Sequence, residues 1–235
     1  MIKYLKPFIL LYPALALAQG ENQKNWSGAY LGPNVGGIFN SINLDANHIS
    51  FSNLDGICNH HSSLSSAFIG GQIGAKKQFD SKLVFGLEGD YTYNFSNSKS
   101  NNCVCEFDDL IFDSFKLYNR FQTSVRGQVG YALEAYNLLP FFSGGVSFAD
   151  LGQKYTNEAN DYYSLFSMQP GYVLGGGLEW AYSKSFSLRL EYYYNHYNAL
   201  NLSLPIVYDI SDSSAHGQMN LSSNNIRFGL NYWFA

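Results

Sequence analysis

Residues 225–234 alternate without a break. Ile226, Phe228, Leu230, Tyr232 and Phe234 are apolar, while Asn225, Arg227, Gly229 and Asn231 are polar or small. A period of two is a β-strand with one apolar face and one polar face. Seven more segments repeat the pattern: 29–39, 67–79, 83–95, 121–133, 140–151, 168–182 and 186–196. The clearest is 83–95, with Leu83, Phe85, Leu87, Tyr91, Tyr93 and Phe95 on one face. Its other face carries Val84, Gly86, Glu88, Asp90, Thr92 and Asn94. Segment 186–196 sets Leu188, Leu190, Tyr192 and Tyr194 against Ser187, Arg189 and Glu191. Each segment is at least as long as the roughly 9–11 residues that a tilted strand needs to cross a bilayer.

The connections alternate in length. Short turns fall at 80–82, 134–138 and 183–185, and the other connections are long and polar. This predicts an all-β chain: an eight-stranded antiparallel up-and-down transmembrane β-barrel with four long outer loops and short periplasmic turns. A lipid-facing wall with aromatic girdles accounts for 17% aromatic residues beside only 14% charged ones. A secreted β-sandwich is the alternative, since it too can be aromatic and rich in glycine.

Residues 1–18 read as a signal peptide. Lys3 and Lys6 precede a short apolar stretch, and Ala16-Leu17-Ala18 is a small-residue cleavage site. Cleavage after Ala18 leaves 19–235 as one outer-membrane barrel domain. Two of the 14 bases lie in the leader, so 12 bases face all 18 acids, a formal charge of −6.

Seven charged residues fall on polar faces at a similar height above the short turns: Lys76, Glu88, Arg126, Glu179, Arg189, Glu191 and Arg227. An eight-stranded barrel is just wide enough for side chains to fill. Unpaired charge there would be very costly, so these groups should pair across neighbouring strands. The expected pairs are Glu88 with Arg126, Glu179 with Arg189, and Glu191 with Arg227. Such a set reads as a salt-bridged lumen plug, or alternatively as a gated ion path. Interior glycines such as Gly32, Gly36, Gly74, Gly175 and Gly177 read as space and curvature rather than a phosphate loop.

Cys58, Cys103 and Cys105 fall in the first two long loops. An oxidising compartment favours a disulfide from Cys58 to Cys103 or Cys105. Unpaired thiols, or a soft metal site made with His60 and His61, remain open alternatives, although the spacings match no standard zinc motif. No cofactor is expected. His196, on an outward position near Ser203, is the one rim candidate for lipid chemistry, and no acid is placed to orient it. The outer segments 40–66, 97–119, 153–167 and 198–223 hold ten acids against Lys99, Lys116 and Lys154. That balance argues against nucleic acid as a partner. It leaves outer-membrane lipids around the wall, and a host or neighbouring surface protein on the acidic loops.

Trp26-Ser27-Gly28-Ala29-Tyr30-Leu31-Gly32-Pro33-Asn34-Val35-Gly36-Gly37 resembles the opening strand of small Gram-negative outer-membrane barrels, the OmpA-like and Opa-like porin-family surface antigens. Arg227, Gly229, Tyr232 and Phe234 resemble that family's C-terminal assembly signal, although Ala235 follows the last aromatic. The resemblance implies insertion by the barrel-assembly machinery and a structural, surface-interactive role in place of catalysis. A small-solute channel and a lipid-modifying enzyme are the alternatives.

Overall fold

A computed structural model describes residues 23–51, 54–95, 115–156, 162–204 and 215–234. Among them are eight strands: β1 (Gly28–Phe51), β2 (Leu54–Gln78), β3 (Leu83–Asn94), β4 (Phe115–Tyr131), β5 (Leu138–Thr156), β6 (Tyr162–Ala181), β7 (Phe186–Leu204) and β8 (Ala215–Trp233). Each pairs antiparallel with the next, and β8 returns to β1, so one sheet closes on itself. A closed single sheet excludes the sandwich, which needs two sheets face to face.

The alternation in sequence becomes an inverted burial pattern. In β3, Phe85 is 50% exposed and Leu87 61%, whereas Glu88 is 1% exposed and Asp90 7%. Charge lies inside and hydrocarbon outside, which is stable only when lipid covers the wall. Aliphatic residues such as Ile73, Leu87, Leu178, Leu188 and Leu230 form the middle of that wall. Aromatic clusters flank them. Phe186, Tyr232 and Phe234 stack edge to face near the short turns, with centroids 5.3 Å apart. Tyr91 stacks on Phe121 at 5.6 Å toward the other end.

The strands run further than their apolar alternation. β1 pairs with β2 out to Phe51↔Leu54, so most of the 40–66 segment expected as loop is strand. β7 and β8 likewise pair out to Leu204↔Ala215. Backbone pairing does not require an apolar face. The ladder therefore continues where the period-2 signal is lost.

Candidate functional site

Register sets the interior. Inward residues of the membrane segment bring Lys76, Glu88, Asp90, Arg126, Glu179, Arg189, Glu191 and Arg227 into one buried layer. Arg126 is its centre. It meets Glu88 Oε1 at 2.5 Å, Glu191 Oε1 at 2.8 Å and Asp90 Oδ2 at 3.1 Å. Arg189 bonds Glu88 and lies 3.0 Å from Glu191 Oε1. Arg227 lies 2.9 Å from Asp90 Oδ1 and 3.8 Å from Glu191 Oε2. Lys76 pairs with Glu179. Four cations therefore face four carboxylates, and the layer is neutral.

Neutral side chains add donors to some of these carboxylates, whereas Glu191 Oε2 has no hydrogen-bond partner among the described residues. Tyr30 Oη donates to Glu88 Oε2 at 2.6 Å, and Ser187 Oγ donates to Glu179 Oε1 at 2.6 Å. Asn231 Nδ2 also donates to Glu179 Oε1, at 2.9 Å. Rings cover the cations: Tyr193 sits 4.6 Å from the Arg227 guanidinium and Phe141 4.3 Å from that of Arg189. Such contacts compensate part of the cost of taking charge out of water.

Two features depart from the sequence reading. Glu179 and Arg189 are opposite in register, yet they do not form the expected pair. Lys76 reaches Glu179 from β2, across the lumen, and Arg189 turns to Glu88 on β3. In a tube this narrow a long side chain reaches strands that are not its neighbours, so register does not fix the partner. Asp90, absent from the expected set, shares Arg126 and Arg227. Its parity with Glu88, two residues along the same strand, was the signal that places it inside.

Below the ionic layer, toward the short turns, Trp26, Tyr30, Val84, Ala132, Leu139, Ala181 and Trp233 form a buried apolar cluster. The residues of the C-terminal motif have separate places. Arg227 is in the ionic layer, and Gly229 leaves room for Gln72, whose Nε2 would lie 2.6 Å from an added Cβ. Tyr232 and Phe234 belong to the outer aromatic cluster.

The remaining candidates lie apart from this layer. Cys58, His60 and His61 fall within β2, in register with Ala46, Leu44 and Asn43, and not in a loop. Cys103 and Cys105 lie outside the described residues, and with them both expected disulfides. His196 is on the outward side of β7, its ring 5.4 Å from that of Tyr172.

The family described as outer membrane protein beta-barrel domain matches residues 8–234. The chain belongs to that family. It is a protein of the bacterial outer membrane, with its short turns on the periplasmic side. Among its relatives are the 31 kDa outer-membrane immunogenic proteins of Brucella melitensis and Brucella suis. Each is 24% identical over 234 residues, covering 94% of this chain and 89% of the relative. Among solved structures, the outer membrane protein OprG from Pseudomonas aeruginosa superposes with a TM-score of 0.53. That match is 11% identical and covers 91% of this chain and 99% of OprG, a likeness of fold alone.

Proposed function

We propose that this barrel is a surface-display protein. Its wall anchors acidic outer segments for contact with a partner outside the cell, and its lumen neither conducts solutes nor catalyses a reaction. The observation that carries this reading is the neutral ionic layer. Four cations and four carboxylates hold one another across the lumen. An ion path would need hydrated groups free to replace an ion's water, and here the charged groups are taken up by one another. The excess of acids in the outer segments suits a partner with a cationic face. The relatives named as immunogenic outer-membrane proteins support a chain exposed at the cell surface. An outward His196 packed on Tyr172 supports an interfacial side chain more than a catalytic base.

The test replaces the outer segments 40–66, 97–119, 153–167 and 198–223 with short turns. Bacteria producing the intact protein are expected to adhere to a panel of host-cell and matrix surfaces. Bacteria producing the trimmed form should lose that adhesion while the barrel still migrates as a folded, heat-modifiable band. Equal adhesion by the two strains would remove the surface-contact role.

A further inference from the structure

The chain ahead of β1 is bound to the barrel. The Lys24 backbone N–H donates to Asn137 Oδ1 at 3.0 Å, and the Lys24 ammonium donates to the Lys184 carbonyl. The Trp26 N–H donates to Gln78 Oε1 at 2.9 Å, and Ser27 Oγ accepts the Gln78 N–H at 3.0 Å. Gln78 ends β2, Asn137 lies between β4 and β5, and Lys184 lies between β6 and β7. Residues 24–27 are thus tied to the last residue of β2 and to the connections that follow β4 and β6, at the periplasmic mouth of the barrel.

The side chains of this strap fill the mouth. Trp26 is fully buried, edge-on to Trp233 at 5.9 Å. Lys24 lies 4.2 Å above the Trp233 ring. Burial there pushes its ammonium down to about 8, with Glu179 opposing the shift and Lys76 adding to it. Above the two tryptophans come Ser187, which accepts from Trp233 Nε1 at 2.9 Å, and then the ionic layer. The strap binds through hydrogen bonds and ring contacts; Lys76 of the ionic layer lies 5.9 Å from the Trp26 ring, but the strap shares no ion pair with that layer among the described residues.

We propose that residues 24–27 are a latched stopper, by which the chain's own N-terminal segment seals the periplasmic mouth in series with the ionic layer. The stopper rests on the closed-lumen reading, but it is a separate barrier. Two barriers in series keep a tube closed when either one is removed.

The experiment compares four refolded forms in a planar bilayer. These are the unsubstituted barrel, Lys24→Gly with Trp26→Gly, Arg126→Ala with Glu191→Ala, and all four substitutions together. Removing Arg126 and Glu191 together preserves the charge balance of the layer. A heat-modifiable band confirms that each form is folded. The first three are expected to be silent and the fourth to conduct. If Arg126→Ala with Glu191→Ala conducts as well as the fourth form, or if the fourth form is silent, the stopper is overturned. Conduction by the unsubstituted barrel would instead overturn the closed-lumen reading beneath it. Where the Arg126 and Glu191 form does not refold, Ser187→Cys in a background with the native cysteines changed to serine decides the matter. Trp26→Gly should make a charged thiol reagent react roughly tenfold faster at that site, as local opening of a protected position does. Equal rates would overturn the stopper.

Discussion

Arg126→Met is expected to lower the stability of the folded barrel by roughly 3–5 kcal/mol. The arginine touches three carboxylates, Glu88, Asp90 and Glu191, and its side chain is fully buried. Methionine keeps much of the volume and removes the charge, so the layer is left with four acids and three cations in a site closed to solvent. The loss comes mostly from those stranded carboxylates rather than from the missing bonds. Adding Glu191→Gln should therefore return part of the stability, although it removes one more charged contact. Urea unfolding of the barrel in lipid vesicles, followed by tryptophan fluorescence, measures both. A change near zero for Arg126→Met would mean that the layer is open to water.

Gly32→Ala is expected to abolish the folded barrel. A Cβ at Gly32 would stand 1.7 Å from the Leu230 carbonyl oxygen, in the backbone of the neighbouring strand. The position lies on the β1–β8 seam, where the two ends of the chain meet and the sheet closes. That ladder runs through Leu31↔Tyr232 and resumes at Asn34↔Gly229. Pro33, which has no N–H to donate, lies in the gap. The backbones approach here too closely for a methyl, at a point where the ladder is already interrupted. Ordinary overpacking costs about 1–3 kcal/mol, with side chains shifting to make room; a clash with backbone has no such relief. Gly37→Ala is the matched control, since its Cβ would meet only the Phe39 ring at 3.7 Å. The heat-modifiable band should disappear for Gly32→Ala and persist for Gly37→Ala. A folded Gly32→Ala barrel would show that the seam can widen.

How much of this was legible in the sequence depends on what each residue faces. Strand segments inside the bilayer could be read because lipid on one side and lumen on the other force alternation, as from Leu83 to Asn94. The outer halves of β1 and β2 could not, because a ladder pairs backbone groups and needs no apolar period. Parity and height above the turns located the interior charges. Partner choice was not legible, because Lys76 reaches Glu179 across the tube while the register neighbour Arg189 goes to Glu88. Trp26 stood in the sequence only as part of a family-like opening motif. A single aromatic before the first strand has no period, and its place in the mouth follows from its own bond to Gln78 at the end of β2 and from those of Lys24 to Asn137 and Lys184.

Closure of the barrel by its own side chains predicts a silent pore. Single-channel recording of the refolded, unsubstituted protein in a planar bilayer tests it most directly. Insertion without conductance is the predicted result, with the outer segments then carrying the function. A steady, reproducible conductance would contradict the account and make the lumen a permeation path.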